Sequence, residues 1–414
     1  MFVAVIALFS LVFVIALSVI TNKNCGVIGL VVAYLLGTFL VGMKASAIYA
    51  KGWPMAVFFI AMSTTFLFSI ATVNGTVEAM AKHIAYFAHG SARLLPIIFF
   101  IGGAIISGVG AGGLVVAIIM PIALYVAVEN KIPVVMMSLV TMGGIMVGGL
   151  SPLAINGIVA NRLAMAEGIT DYNALWLPYA VSMTLFSVLA YLFFGGLKLP
   201  RNAKAETAEK FAAFDRNQKL TMTAIVVLLV GVVAFKQDLG LLAFACGGIL
   251  LLLNAADQKK AIASMPWSTI LLICGMAVLL HVINTAGGIK LLANNLRTVM
   301  GPRSAQPIFV ALGGLMGAVS SGTGVVMPTL IPLAAKMSAA MPEIGSPLAL
   351  IIAVIVGTNG VVISPLSTVG GLCVASAPDG VDKGKLYNQL LIAAIIFCVG
   401  SAIAAYFGLL TLGI

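Results

Sequence analysis

Two Ser-Pro-Leu triplets carry most of the chemistry this chain can offer. Ser151-Pro152-Leu153 follows Gly148-Gly149, and Ser364-Pro365-Leu366 follows Gly357-Thr358-Asn359-Gly360. In a helix, proline removes an amide donor and clashes with the preceding turn, while glycine tolerates the dihedrals that result, so both segments must open. The half-helix that restarts beyond each break presents unpaired N–H groups and the positive end of a dipole, which suits a carboxylate. Two glycine-rich stretches, Ser107 to Gly113 and Ser320 to Gly324, add further amides and hydroxyls. Together they predict an anion site without a buried arginine. The candidate substrate-binding residues are Gly110, Gly112, Gly113, Ser151, Pro152, Asn156, Ser321, Gly322, Thr323, Ser364, Pro365, Ser367 and Thr368. Ser107, Gly149, Asn156, Ser320, Thr323 and Asn359 are the candidate ligands of a cation held by neutral oxygens.

These residues sit in a chain that repeats itself. Gly102 to Gly113 and Pro121 return, ungapped at an offset of 211 residues, as Gly313 to Gly324 and Pro332. Asn24-Cys25-Gly26 answers Asp238-Leu239-Gly240, and Pro54 answers Pro266, so the duplication covers the whole chain. Glycine- and proline-interrupted apolar segments in matching places of two halves are the mark of a secondary transporter's binding site.

With 62% hydrophobic and 8% charged residues, the chain lacks the polar surface of a soluble domain and reads as an all-α polytopic membrane protein. Apolar stretches long enough to cross a bilayer fall at 2–20, 25–43, 54–73, 133–160 and 174–197, then at 219–235, 239–254, 266–283, 346–376 and 386–412. The segments 94–128 and 305–338 are too long for one span and glycine-rich near their middle, and are expected to be re-entrant hairpins. Five crossings per half make the second copy enter from the opposite side. The expectation is an inverted repeat: residues 1–198, a charged cytoplasmic linker at 199–218, and residues 219–414. If the N-terminus is outside, 14 of the 22 basic residues, Lys23, Lys131, Lys259 and Lys260 among them, share the opposite side, which is then cytoplasmic. The net charge of +10 therefore sets orientation and does not point to nucleic acid.

No Asp or Glu falls inside a proposed span, which favours sodium over a buried proton carrier. His281 is the one histidine within a span and is expected to be a packed, hydrogen-bonded side chain. The five cysteines, Cys25, Cys246, Cys274, Cys373 and Cys398, lack metal-type spacing and read as small buried hydrophobes. Trp53, Trp176 and Trp267 stand at span starts and read as interfacial anchors. Without a buried His, Asp, Glu or Cys cluster there is nothing from which to assemble an enzyme's acid-base, nucleophilic or metal chemistry, and no cofactor is implied beyond a coupling sodium.

Along its full length the chain resembles the malonate/dicarboxylate carrier family of the ion transporter superfamily, related to the divalent anion/sodium symporters. The resemblance rests on Gly149-Leu-Ser151-Pro152 with Asn156-Gly157-Ile-Val-Ala-Asn161, on Trp267-Ser-Thr-Ile-Leu-Leu-Ile, and on Ser364-Pro365-Leu-Ser367-Thr368 with Val374-Ala-Ser-Ala-Pro378-Asp379. It implies a homodimeric elevator in a bacterial inner membrane, both termini outside, importing malonate or a C4 dicarboxylate with a cation. Residues 1–93 and 219–304 would be scaffold, and 94–198 and 305–414 would carry substrate. Where the symporters have Ser-Asn-Thr ten residues before a proline, this chain has Ala111-Gly112-Gly113 and Gly322-Thr323-Gly324, so the first tip has lost its side-chain donors. The rival expectations are a proton-coupled or exchange carrier for another organic or inorganic anion, and an anion channel.

Overall fold

The computed structural model describes residues 2–21, 23–87, 91–111, 114–200, 213–296, 300–319, 321–378 and 380–411. All regular structure among the described residues is helical. The first half runs α1 (Phe2–Thr21), α2 (Cys25–Leu35), α3 (Ala45–Gly52), α4 (Met55–Val73), α5 (Thr76–Phe87), α6 (Leu94–Ile106), α7 (Leu114–Glu129), α8 (Val134–Gly149), α9 (Ile155–Ala166) and α10 (Asn173–Phe193). The second runs α11 (Arg216–Val233), α12 (Leu239–Leu252), α13 (Gln258–Ala263), α14 (Trp267–Thr285), α15 (Gly288–Leu296), α16 (Ala305–Val319), α17 (Met327–Ala340), α18 (Pro347–Gly360), α19 (Thr368–Ala375) and α20 (Lys383–Tyr406). Element for element, the first ten helices are matched by the second ten.

The halves are interlocked by exchanged contacts. Helix α2 packs on α14 while α12 packs on α4; α9 meets α17 while α19 meets α7; α1 meets α15 while α5 meets α11. Within each half, α6 lies along α8 and α16 along α18. These contacts are close because glycines remove the side chain between two backbones. A Cβ on Gly144 would overlap the Phe100 carbonyl, one on Gly357 the Val310 carbonyl, and one on Gly275 the Gly26 carbonyl. Small residues serve helix contacts in membranes this way, where lipid tails give no hydrophobic drive to association.

Both expected hairpin regions consist of two helices meeting at an irregular tip: α6 and α7 around the turn Ser107–Ala111, and α16 and α17 around the turn Gly322–Val326. Both expected breaks are present as well. The stretch 133–160 divides between α8 and α9, and the stretch 346–376 between α18 and α19, with a short turn Val361–Ile363 at the second.

Several expectations about length are corrected. Among the described residues, six helical stretches are long and apolar enough to cross a bilayer: Met55–Val73, Asn173–Phe193, Trp267–Thr285, Gly322–Ala340, Pro347–Ala375 and Lys383–Tyr406. Gly322–Ala340 belongs to the segment read as a hairpin, and Cys25–Leu40 and Leu239–Leu252 are apolar but shorter, while α1 (Phe2–Thr21) covers the expected first span. Residues 201–212 of the linker lie outside the described residues, and α11 starts at Arg216, three residues before the span read from hydropathy. The reason is a capping box: the Asp215 carboxylate accepts the Gln218 amide at 2.8 Å, and the Gln218 side chain returns to the Asp215 amide at 3.1 Å. Asp238, Asp257 and Asp382 each accept a first-turn amide to cap α12, α13 and α20, so several of the few acidic side chains serve helix starts. Helices α3 and α13, just before Pro54 and Pro266, were not expected, being too short to leave a periodic signal.

The packing account predicts a contrast between two glycines. Gly144→Ala forces a methyl onto a backbone carbonyl and should cost about 1–3 kcal/mol, seen as a lower melting temperature in detergent. Gly248→Ala, with nothing within 4 Å of the added methyl, should melt with the wild type.

Candidate substrate and cation site

The two breaks are built alike. At the first, the Ser151 amide donates to the Gly148 carbonyl at 2.8 Å and the Ser151 carbonyl accepts from Ala154 at 3.0 Å. At the second, the Ser364 amide donates to Val361 at 2.8 Å and its carbonyl accepts from Ser367 at 2.9 Å. Each serine hydroxyl accepts an amide two residues on, from Leu153 or Leu366, at 3.3 Å. Each loop then folds back onto the restarting helix, so that a Cβ on Gly157 would overlap the Ser151 carbonyl and one on Gly370 the Ser364 carbonyl. The repeated Ser-Pro-Leu with a glycine beyond it is the sequence of that shape.

The carbonyls left free where α8 ends are satisfied from α10. Tyr172 donates its hydroxyl to the Leu150 carbonyl at 2.8 Å, and Trp176 Nε1 donates to the Val147 carbonyl at 3.0 Å. Trp176, expected as an interfacial anchor, thus serves the break. Tyr179, fully buried, points its hydroxyl at the Asn359 carbonyl at 3.5 Å. The signal was available as Tyr172, Trp176 and Tyr179 at helical spacing, each a bulky ring with one polar tip.

Breaks and tips converge on a cavity of 530 Å³. The first tip contributes Ser107 and Gly110, the first break Gly149, Ile155 and Asn156. The second tip contributes Ser321, Gly322 and Thr323, and the second break Asn359, Ser367 and Thr368. Among the described residues, none that lines the cavity is Asp, Glu, Lys, Arg or His. Ser151, Pro152, Ser364 and Pro365 are not on the wall; they shape the loops behind it. Ser151 donates its hydroxyl to the Gly108 carbonyl, tying the break to the hairpin, and Ser364 is 1% exposed. Gly112, Gly113 and Ser320 lie outside the described residues.

The polar inventory of the wall is uneven. The Ser367 hydroxyl caps α19, accepting the Gly370 amide at 3.2 Å while donating to the Val362 carbonyl. Ala154, at the same place before α9, offers no side-chain cap to the turn that carries Ile155 and Asn156. Asn359 donates to the Ile355 carbonyl at 3.0 Å. The Ser107 hydroxyl is buried without a hydrogen-bond partner, as is that of Thr358 next to Asn359. An unpaired buried hydroxyl on a cavity wall is free to meet a ligand, an ion or a water.

Sequence reasoning missed the third wall. It comes from Ile15 and Ser18 late in α1, Cys25 at the start of α2, Thr65 and Phe68 in the second half of α4, Pro266 just before α14, and Thr269 and Leu272 in the first two turns of α14. All lie toward one end of their helices. Helix α17 is also tied to α14 by Lys336 Nζ, which donates to Asn284 Oδ1 at 2.8 Å. Beyond the cavity, burial raises the carboxyl pKa of Glu167 and the nearby Lys336 ammonium pulls it back. His281 is half-buried on α14 and does not line the cavity.

Residues 1–149 match the family described as dicarboxylate carrier protein MatC N-terminus. The resemblance to malonate/dicarboxylate carriers drawn from the motifs is therefore supported. A 46 kDa membrane protein of Mycobacterium leprae is 22% identical over 71% of this chain and 71% of its own length. The fold is shared with the Alcanivorax borkumensis YdaH transporter, at a TM-score of 0.56 and 17% identity over 91% of this chain and 88% of that one. It is shared also with Neisseria gonorrhoeae MtrF, of a class of antimetabolite efflux pumps, at a TM-score of 0.55 and 13% identity over 97% and 94% of the two chains. Family match, transporter fold and apolar helices together support a multi-pass membrane transporter.

The aromatic donors at the first break give a direct expectation. Tyr172→Phe and Trp176→Phe each strand a carbonyl at the end of α8 and should each cost about 1–3 kcal/mol, read as a lower melting temperature. Trp267→Phe, whose indole donates to the Ile262 carbonyl at an exposed site, should cost less.

Proposed function

We propose that this protein is a secondary active transporter that imports a small dicarboxylate, malonate or a C4 dicarboxylate, together with sodium. The observation that carries the reading is the cavity: it is uncharged, and helix breaks and hairpin tips from both halves line it. Restarting helices hold an anion by amides and dipole, without a buried cation. The unpaired Ser107 hydroxyl, with Asn359 and nearby carbonyls, offers neutral oxygens to sodium. No carboxylate or imidazole lines the wall to carry a proton, which favours sodium over the proton-coupled alternative.

We read the two halves as inverted repeats and the mechanism as an elevator. Helices α6–α10 and α16–α20 would move against a scaffold of α1–α5 and α11–α15, as a homodimer in a bacterial inner membrane. The exchanged contacts support a two-fold relation between the halves, and five expected crossings per half make that relation an inversion. Under the orientation read from basic residues, the ends of α1 and α4 and the starts of α2 and α14 are cytoplasmic. The cavity's scaffold wall comes from those ends, which supports an inward-facing state.

The test is uptake of labelled malonate into proteoliposomes with sodium and pH gradients imposed separately. Sodium-driven, saturable, counterflow-capable uptake is expected. Ser107→Ala should raise the sodium concentration needed by about tenfold or more, the equivalent of one lost charge-assisted contact. Uptake driven only by pH, or conductance without counterflow, would contradict the proposal.

A further inference from the structure

At both hairpin tips a scaffold side chain stands where a Cβ would need to be. Leu272 of α14 places its Cδ2 methyl on the Cβ position of Gly324, and the Phe68 ring of α4 comes within 2.5 Å of the Cβ position of Gly110. The two glycines are required for different reasons. Gly110 has φ +123°, a conformation that other residues rarely adopt. Gly324 has no positive φ, so the approach of Leu272 is what leaves no room for a side chain.

Gly324 is wired to the cavity wall. Its amide donates to Ser321 Oγ at 3.0 Å, and Ser321 Oγ lies 3.3 Å from Thr323 Oγ1. Both hydroxyls line the cavity, as do Leu272, Phe68 and Gly110 themselves. Any shift of Gly324 against Leu272 therefore moves the only hydroxyls that the described part of the second tip offers.

We propose that Leu272 and Phe68 are positioning residues: each scaffold side chain seats one hairpin tip on the bare Cα of its glycine, and so fixes where Ser321, Thr323 and Gly110 stand on the cavity wall. The seating rests on geometry alone; its consequence for a carried anion rests on the transport reading. Leu272 sits near the start of α14 and Phe68 near the end of α4, so both tips are held at the scaffold end that lines the cavity. Neither residue touches the anion's charge. Each acts through the tip it holds.

The test exchanges volume across the contact. In a chain whose five native cysteines are replaced by alanine, Thr323→Cys reports the tip's position through its labelling rate with a small water-soluble maleimide. Leu272→Ala empties the seat and Gly324→Ala overfills it. Each should change the labelling rate by about threefold or more, while the double variant, which returns a methyl to the gap, should come back to within about twofold of the parent. A parent rate in Leu272→Ala, or effects that simply multiply in the double, would overturn the seating. If Gly324→Ala does not fold, Leu272→Ala alone decides it.

With native cysteines restored, Leu272→Ala should raise the KM for labelled malonate by about tenfold with little change in maximal rate, since it displaces binding groups. A fall in maximal rate at unchanged KM would overturn the positioning role. Absence of malonate uptake in the wild type would count against the transport reading, and the labelling cycle would still decide the seating.

Discussion

Inside a bilayer every backbone N–H and C=O must find a partner within the protein, and that constraint governs this structure. Helices α8 and α18 stop where the chain is most buried, leaving carbonyls at one side of each break and amides at the other. Most of those groups are accounted for locally. Ser151 and Ser364 close matching pairs of turns, Tyr172 and Trp176 reach in from α10, and Ser367 caps α19. The first turn of α9 is left without a side-chain cap, and it faces the cavity. The proposed anion site rests on the groups that remain unpaired after the others are served.

The same constraint explains how so apolar a chain can hold broken helices. Broken helices survive only if packed tightly on neighbours that exclude lipid, and the glycines at Gly144, Gly148 and Gly357 bring α6 and α16 into backbone contact with them. Rigid packing of hairpin on broken helix makes each a single body, whereas contacts to the scaffold at Leu272 and Phe68 are side chain against glycine. Contacts of the first kind join backbone to backbone, while those of the second kind seat a hairpin tip on a single side chain. The proposed division into scaffold and carried parts follows the kind of contact as well as chain order.

Much of this was legible in the sequence because breaks and tips are written in residue types with few other uses. Gly and Pro in matching places located both breaks and both tips, and ten of the candidate residues, from Ser107 to Thr368, stand together around one cavity. What escaped notice was long-range. Nothing near Phe68 or Leu272 in sequence distinguishes them from other apolar residues of a span, since their role depends on a glycine on another helix. Trp176 was read as an anchor because its neighbours suit an interface, yet its partner is a carbonyl 29 residues away. Ser151 and Ser364 were placed on the wall because their spacing repeats, and the repeat proved to encode the loop's hydrogen bonds. The span read at 25–43 stops three residues early, where the helix begun at Cys25 ends in the π turn Leu36–Leu40.

The central claim is that unpaired amides of restarting helices, without any cationic side chain, hold the carried anion. A cryo-electron microscopy map of the protein with malonate and sodium tests it most directly. The account predicts carboxylate oxygens within hydrogen-bond distance of the amides at the starts of α9 and α19, with no Lys or Arg side chain in contact. Malonate held by a lysine or arginine, or bound away from both helix starts, would contradict it.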